Sequence, residues 1–311
     1  MPPPPPVPMG VREWSLLVVL SVLWGASFYF FKVLVAELPT LTVVLGRLGV
    51  AALLMNLLIV LRGDTMPASP RLWGWFIVMG LLNNVVPFIL LVWSEIRISS
   101  GLAAILNATT PIFAVLVAHF ATTDEKLNWS KGIGVLCGFL GVIVLIGPSM
   151  LSSVGGDELT ADLACLLAAF IFALAGIYGL RFKGMSSLTV ATGQVTASTL
   201  VLLPFTLIVD RPWNLPNPSI LAWASLAGIA VLSTAVAYVM YFRVLAVAGA
   251  TNTLLVTFLV PVSAILLGVV FLSEAFTAQT LGGMLLIGAG LAAIDGRLAA
   301  ALRGRPHPRP D

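Results

Sequence analysis

Polar side chains that could contact a small molecule recur inside apolar runs of this sequence, 150 positions apart. Asn83 and Asn84 correspond in this way to Ser233 and Thr234. Polar groups in hydrocarbon are costly, so they usually face the interior of a helix bundle or a water-filled cavity. Amides and hydroxyls can bind a polar molecule there, but they can equally join two helices by hydrogen bonds. The pairs therefore indicate either a polar cavity among helices or interhelical contacts.

Two prolines follow a second set of polar positions with the same spacing. Asn107 corresponds to Thr257, and a proline comes four residues later in each case, at Pro111 and Pro261. Proline removes one backbone hydrogen bond of a helix and clashes with the preceding turn. Membrane helices tolerate this where neighbours satisfy the freed carbonyl. The matched prolines predict two interrupted helices that act as hinges beside a site at mid-membrane depth.

Aromatic residues extend the candidate site. Trp24 lies in the middle of an apolar run, where anchoring at a membrane interface does not explain it. Tyr238 carries a hydroxyl that needs a partner when buried. Either ring could pack in the core or line a cavity. The candidate substrate-binding residues are Trp24, Asn83, Asn84, Phe88, Asn107, Tyr178, Ser233, Thr234, Tyr238 and Thr257, with Pro111 and Pro261 as hinges.

The sequence contains no constellation typical of an enzyme. No serine or cysteine nucleophile, metal cluster or phosphate loop has partners at a workable spacing, and His119 and His307 are the only histidines. We therefore expect no catalytic residue, metal ion or cofactor. A membrane-embedded enzyme or scaffold is a remote alternative to a transporter. A channel is a third option, which the matched breaks and symmetric halves disfavour.

The composition is that of a polytopic membrane protein. Of the 311 residues, 59% are hydrophobic and 9% are charged, whereas soluble domains carry about 25% charged residues. The elements that must position the polar pairs are therefore membrane-spanning helices of about 20 residues each. Apolar runs between helix-breaking residues predict ten, at about 14–36, 40–61, 71–94, 99–120, 129–147, 160–181, 187–208, 219–241, 250–272 and 278–296.

The distribution of Lys and Arg predicts the orientation. With the N-terminus inside, twelve of the 16 Lys and Arg residues fall in inside segments and two, Arg97 and Arg211, in outside segments. Positive residues concentrate on the cytoplasmic side of membrane proteins. Both termini are thus expected in the cytoplasm, in a bacterial cytoplasmic (inner) membrane. The remaining two, Lys32 and Arg47, lie within spans. We expect Lys32 to extend towards the membrane surface. For Arg47 the alternatives are the same extension or hydrogen bonds to carbonyls of a neighbouring helix, with a role in closing the outer side as a minority alternative.

The two halves of the chain are repeats. Gly134 and Gly283 are 149 positions apart, as are Gly141 and Gly290, so each unit holds five spans. An odd number of spans inserts the second unit upside down, which is typical of secondary transporters. The predicted organisation is a disordered cytoplasmic N-terminus (1–13), a first repeat (14–147), an outer connecting loop (148–159), a second repeat (160–296) and a basic cytoplasmic tail (297–311). We expect a monomer in a lipid bilayer that binds a small molecule and no nucleic acid.

Several local motifs resemble one transporter family. The chain contains WGASF around Trp24, Arg47 in the second span, TTPIFAVLVA from Thr109, Asp124–Glu125, and VPVSAILLGVVFLSEAFTAQTLGG from Val260. Together they resemble the EamA family of the drug/metabolite transporter superfamily, most closely its YddG-type exporters of aromatic amino acids. The resemblance implies ten helices in two inverted halves around a central cavity. It places spans 1, 3, 4, 6, 8 and 9 at the cavity and packs spans 5 and 10 to one side.

The charged residues bear on the substrate and the energy source. Every Asp and Glu lies at a span end or in a loop, so the sequence places no carboxylate in the middle of a span to carry a proton. This predicts facilitated transport by alternating access, with net export of metabolites. A cavity lined by amides, hydroxyls and rings, without a deep charge, suits neutral or zwitterionic solutes such as aromatic amino acids. A proton-coupled drug or metabolite exporter is the alternative.

Overall fold

The chain folds into a bundle of helices. The computed structural model describes residues 11–121, 129–152, 156–241, 243–244, 253 and 255–295, and within these ranges every regular element is helical. The prediction of an all-α protein is confirmed for this part of the chain. The basic tail and residues 1–10 lie outside the described residues, whereas Val11 already begins the first helix.

The helices follow the predicted apolar runs closely. We number them α1 Val11–Leu34, α2 Thr40–Leu61, α3 Pro70–Glu95, α4 Ser100–Ala121, α5 Trp129–Ser152, α6 Asp157–Phe182, α7 Ser187–Val209, α8 Ile220–Tyr241, α9 Val256–Leu272 and α10 Ala278–Asp295. A short 3₁₀ turn, Pro212–Asn214, lies between α7 and α8. Helix α5 continues to Ser152, five residues beyond its predicted end, so its connection to α6 is shorter than the expected loop.

The surface of the bundle is apolar enough for lipid. Within the described ranges, seven helices (α1 to α4 and α6 to α8) are long and apolar enough to cross a membrane, and α5, α9 and α10 contribute shorter apolar segments. Large apolar side chains point outwards along them; Leu53 is 73% exposed and Ile208 71%. Water-soluble monomers rarely expose such continuous apolar surface, so this surface is a lipid-facing one.

The helix pairings are symmetric under exchange of the two halves. Helix α1 packs on α9 and α8, and its counterpart α6 packs on α4 and α3. Helix α2 contacts α8, and its counterpart α7 contacts α3. The pairs α2–α7, α4–α9 and α5–α10 each join a helix to its own counterpart. The two repeats therefore interleave around a common centre, so neither half forms a separate core.

Glycines allow the closest helix pair to form. Helices α5 and α10 make the most extensive contact of the bundle. A Cβ atom at Gly290 would lie 2.5 Å from the carbonyl oxygen of Gly134, and one at Gly141 would lie 2.9 Å from that of Gly283. Small residues permit this close backbone approach in membranes. The expectation that these two spans are packing elements agrees with their geometry.

The two matched prolines behave differently. In α4 the helix stops at Asn107 and resumes at Thr110, and the hydroxyl of Thr110 donates to the Asn107 carbonyl at 2.7 Å. That carbonyl is the one which the ring of Pro111 leaves without its helical partner. Helix α9, in contrast, runs without interruption through Pro261. The expected break is therefore present in the first repeat, and the described part of α9 does not contain its counterpart.

The two ends of the bundle differ in charge. One end holds the α1–α2, α3–α4, α7–α8 and α9–α10 connections and the start of α6; we call it the acidic end, and it carries Glu37, Glu95, Asp162, Asp210 and Glu274. The opposite end, which we call the basic end, carries Arg62, Arg71, Arg181 and Lys183.

Candidate functional site

Two helices depart from α-helical geometry at equivalent places in the repeats. The turns Leu81–Val85 of α3 and Val231–Val236 of α8 are π-helical, and they begin 150 positions apart. Each contains one of the predicted polar pairs. A π-helical turn rearranges the backbone hydrogen bonds locally and is frequent at functional sites. In α8 the hydroxyl of Thr234 donates to the carbonyl of Ile229 at 2.9 Å, so a polar side chain is part of the altered turn.

Arg47 points into the centre of the bundle beside these turns. Its side chain is only 5% exposed, and its guanidinium carbon lies 3.9 Å from the ring centre of Phe88 and 5.1 Å from that of Phe31. Its Nε donates to the hydroxyl of Thr234 at 3.0 Å. Of the alternatives for Arg47, extension to the membrane surface is wrong, because the side chain packs inwards on the aromatic faces of Phe31 in α1 and Phe88 in α3. Its described hydrogen bond goes to a hydroxyl and not to a backbone carbonyl.

Arg47 belongs to a group of polar residues from four helices. One turn after Thr234 on α8 lies Tyr238, whose hydroxyl is 3.5 Å from the amide nitrogen of Asn83. The same amide nitrogen donates to Gln194 Oε1 at 3.1 Å. Gln194 occupies the position in α7 that corresponds to Arg47 in α2. We call Arg47, Asn83, Gln194, Thr234 and Tyr238 the central polar cluster. It draws two residues from the first repeat and three from the second.

Aromatic rings flank this cluster. The ring of Trp24 lies 5.5 Å from that of Tyr241, one turn beyond Tyr238 on α8. The ring of Phe88 lies 6.1 Å from that of Phe172 on α6, in an edge-to-face arrangement. The cluster therefore combines one cation, neutral hydrogen-bonding groups and aromatic surface, the materials from which sites for small organic molecules are built.

Known sequences identify the family of this chain. The EamA-like transporter family matches residues 12–147 and, a second time, residues 159–294. The chain belongs to the EamA-like transporter family. It is therefore a membrane transporter, and its two matched segments are the two repeats.

Individual relatives of this EamA-like protein are distant but cover nearly all of it. The uncharacterized transporter YoaV of Bacillus subtilis is 26% identical over 88% of this chain and 94% of its own length. Protein PecM of Dickeya dadantii is 26% identical over 85% and 86%, and the inner membrane transporter YedA of Escherichia coli K12 is 26% identical over 82% and 81%. One solved crystal structure superimposes with a TM-score of 0.66 at 17% identity and covers 96% of this chain and all of its own, which shows a shared fold.

Two predicted site residues of the EamA-like protein are packing residues in this structure. The amide of Asn84 donates to the Ser198 hydroxyl at 3.1 Å, and both side chains are buried between α3 and α7. Ser233 is fully buried, and no described residue forms a hydrogen bond with its hydroxyl. Each lies next to a cluster residue in its π-helical turn.

Tyr178 lies apart from the cluster. Its ring is 6.3 Å from that of Phe182 and 5.0 Å from the guanidinium carbon of Arg181, near the basic end. Together with Trp75 and Phe76 these residues form an aromatic group that joins α3 to α6. The structure does not bring Tyr178 together with the other predicted site residues.

Asn107 and Thr257 lie at the two proline positions. Thr257, Pro261, Ile105 and Ala108 line a cavity of about 30 Å³ between α4, α9 and α10. That volume accommodates a water molecule or two and no organic solute. The Oδ1 atom of Asn107 is buried, and it has no hydrogen-bond partner among the residues that the structure describes. The side chains that line this cavity are mainly apolar and do not include Asn107, and none of them belongs to the central polar cluster.

Position in the sequence did not reveal two buried carboxylates. Glu95 and Asp162 lie near helix ends, as expected, but both are fully buried at the acidic end. In the described part of the chain, neither carboxylate oxygen of Glu95 has a hydrogen-bond partner. Lys32 lies beside Glu95 and donates to the backbone carbonyls of Glu95 and Ile98 at 2.6 and 2.8 Å. The sequence contained one possible signal, the opposite charge of Lys32, but Lys32 lies 63 positions from Glu95.

Three contacts between the repeats close the acidic end. The carboxylate of Glu37 accepts hydrogen bonds from the backbone and the hydroxyl of Ser219, each at 2.6 Å. These bonds lower the pKa of Glu37 from its ordinary value of 4.5. In the same way Asp210 accepts from the backbone and hydroxyl of Thr42, both at 2.8 Å.

The third contact joins the α9–α10 connection to the start of α4. The carboxylate of Glu274 accepts from the backbone and hydroxyl of Ser100 at 2.7 and 2.9 Å and from the backbone of Gly101 at 3.2 Å. A carboxylate at a helix N-terminus is favoured by the helix dipole. We call the three contacts the acidic-end contacts.

Proposed function

We propose that this protein is a carrier that moves a small organic solute across the bacterial cytoplasmic membrane by alternating access. The observation that carries the proposal is the central polar cluster, which takes residues from both repeats at the two π-helical turns. A site held by both halves changes its exposure when one half moves against the other. The solute binds between Arg47, Asn83 and Tyr238, with Trp24 and Phe88 as aromatic walls.

The proposed topology is ten membrane-spanning helices in two inverted five-helix repeats, with both termini in the cytoplasm. The helix directions support inversion, because the end of α1 and the start of its counterpart α6 both contact the end of α3, at Glu95 and Ser94. The excess of Lys and Arg at the basic end supports a cytoplasmic location for that end. The acidic end then faces the cell exterior.

In the described conformation the acidic-end contacts hold the outer side together. Opening this side requires the loss of the Glu37–Ser219, Thr42–Asp210 and Glu274–Ser100 hydrogen bonds. Each joins the first repeat to the second, so rocking of one repeat against the other breaks all three together. The interruption of α4 before Pro111 provides a bend at which such movement can occur.

The proposed solutes are amino acids, in the first place aromatic and other neutral ones. The proposed direction of transport is export, and the proposed carrier is a monomer. We propose that transport is facilitated diffusion, in which the solute moves down its own concentration gradient. Proton-coupled export is the second candidate, and the full burial of Glu95 and Asp162 favours it specifically. A carboxylate in an apolar site is costly unless it is neutralised or paired, so such a group can exchange a proton when the acidic end opens.

Uptake by proteoliposomes tests the carrier function. Reconstituted wild-type protein is expected to show saturable uptake and counterflow of labelled phenylalanine. Asn83→Ala and Trp24→Ala are expected to lower the rate at least about tenfold, which corresponds to 1.4 kcal/mol. Asn107→Ala, at the hinge, is expected to lower it as well.

Asn56→Ala provides a matched control for these variants. Asn56 forms an interhelical bond to Thr196 at 2.8 Å outside the cluster, so this variant should keep the wild-type rate. Non-saturable flux in the wild type would indicate a channel. Equal rates in all the variants would return the cluster to a packing role.

A further inference from the structure

No residue that the structure describes balances the charge of Arg47. A guanidinium remains protonated in proteins, and a charge inside a membrane protein normally pairs with an opposite charge or with backbone carbonyls. In the described residues, no carboxylate oxygen lies within 4.0 Å of this guanidinium. Its recorded hydrogen-bond partner there is one neutral hydroxyl, that of Thr234. The faces of Phe31 and Phe88 attract the cation, but they supply no negative charge.

The free part of the guanidinium has the geometry of a carboxylate receptor. Because Nε bonds to Thr234, the two terminal nitrogens are the donors that remain, and no described residue accepts a hydrogen bond from them. Two parallel N–H groups match the two oxygens of a carboxylate. Phe88 and Phe31 hold the plane of the guanidinium in place, so little conformational freedom would be lost on binding.

The neighbouring groups narrow the choice of anion. Asn83, Gln194 and Tyr238 are neutral, so the cluster offers a single positive charge. The buried carboxylate of Glu95, at the acidic end, has a different cation beside it. That cation is Lys32, which donates a hydrogen bond to the backbone carbonyl of Glu95. One cation balances a monoanion, whereas a phosphate monoester dianion would remain partly uncompensated. The rings of Phe88 and Phe172 beside it suit an organic substituent rather than a bare inorganic ion.

We propose that Arg47 binds the carboxylate of the transported solute, so that the substrates are monocarboxylates that carry an apolar or aromatic group, amino acids among them. This inference rests on the proposed carrier function and names the substrate class of the same site. It replaces the expectation of a cavity without a deep charge. The cluster selects by the carboxylate, and the aromatic walls select by the side chain.

Matched probes separate the carboxylate from the rest of the ligand. Phenylalanine and 3-phenylpropionate carry the carboxylate, whereas phenylalaninamide and phenethylamine lack it. Binding is measured by thermal stabilisation of the purified protein in detergent, since a ligand of the folded state raises its melting temperature. Transport is measured in proteoliposomes with labelled phenylalanine and the other three compounds as competitors. Wild-type protein is expected to bind and be inhibited by the carboxylates and to ignore the amide and the amine.

Substitution then assigns the recognition to Arg47. Arg47→Gln is expected to weaken the response to the carboxylates by about 30-fold, equivalent to about 2 kcal/mol at 1.4 kcal/mol per tenfold change. Arg47→Lys should recover part of it, because it keeps the charge and loses the paired N–H geometry. Arg97→Gln is the matched control, because Arg97 also stacks on an aromatic ring, at 4.1 Å from Trp93, but lies at the helix end. It should bind like the wild type.

The outcomes distinguish this inference from the carrier function. Equal responses to the carboxylates and to the amide in a saturable carrier would overturn the role of Arg47 and leave the carrier function standing. Carboxylate-selective stabilisation that Arg47→Gln abolishes, without any transport, would support the site and overturn the carrier. If Arg47→Gln does not yield folded protein, Arg47→Lys is the deciding variant. Should Arg47→Lys bind the carboxylates and the amide with the same affinities as the wild type, Arg47 would be a structural residue.

Discussion

A single methyl group at Gly290 should separate α5 from α10. A Cβ atom there would lie 2.5 Å from the carbonyl oxygen of Gly134 and 2.8 Å from the backbone nitrogen of Gly138. Both are backbone atoms, so no side-chain rotation can relieve the contact. Restoring 3.4 Å, the start of ordinary van der Waals contact, requires a displacement of 0.9 Å (3.4 minus 2.5). Overpacking of this kind destabilises a folded protein by about 1–3 kcal/mol.

Gly282→Ala is the matched control for Gly290→Ala. Both residues lie in α10, and the nearest atom to a Cβ at Gly282 is a valine methyl carbon at the ordinary distance of 3.9 Å. Alanine favours a helix over glycine by about 1 kcal/mol in both variants, so the difference between them isolates the clash. We expect Gly290→Ala to unfold with a free energy about 1–3 kcal/mol lower than that of Gly282→Ala.

The measurement is equilibrium unfolding in mixed detergent micelles, followed by helix content. Because α5 and α10 lie to one side of the central polar cluster, the folded fraction of Gly290→Ala should keep the solute affinity of the wild type. Equal stability of the two variants would refute the close approach of the helices. A loss of affinity in folded Gly290→Ala would show that this pair does more than pack.

Three further predictions concern topology, pH and coupling. A cysteine at Asp157 should react with an impermeant thiol reagent only from outside the cell, and one at Arg181 only from the cytoplasm; labelling of the former from the cytoplasm would exclude the inverted topology. The Ser219 hydrogen bonds lower the pKa of Glu37, so their contribution to stability is present above pH 4.5 and is lost as the pH falls through the lowered value. The melting temperature of the wild type should therefore exceed that of Glu37→Gln at neutral pH and converge with it in acid, and a constant difference would contradict this. Facilitated transport predicts no accumulation of solute under an imposed pH gradient, and uphill accumulation that Glu95→Gln abolishes would instead establish proton coupling.

The sequence predicted the helices well because apolar runs and breakers are local signals. The bounds of α2 were predicted to the residue, and the interruption of α4 followed from Pro111 and the polar residues before it. The same reasoning failed for Pro261, where the identical residue lies inside a continuous helix. A proline permits an interruption, but the packing of the neighbouring helices decides whether the backbone takes it.

The direction in which a side chain points was harder to predict than its position along a helix. Arg47 was located at the right depth, but the choice between the membrane surface and the interior depends on Phe88 of α3 and Thr234 of α8, which are far away in sequence. Its counterpart Gln194 was the available signal, because a polar residue at the same place in both repeats indicates an inward face. For Glu95, a position at a helix end suggested exposure, and only the covering helices bury it.

Symmetry of the backbone and asymmetry of the side chains together account for the proposed site. Both repeats form a π-helical turn at the same place, so the fold provides two equivalent polar positions around one centre. A strictly symmetric pair of side chains would offer two cations or two amides there. This chain instead places Arg47 opposite Gln194, and asparagines opposite Ser233 and Thr234. One charge among neutral partners gives the site a direction, so that a solute with one carboxylate and one apolar group has a single preferred orientation. In the proposed carrier, the repeat thus supplies the movement, and its divergence supplies the selectivity.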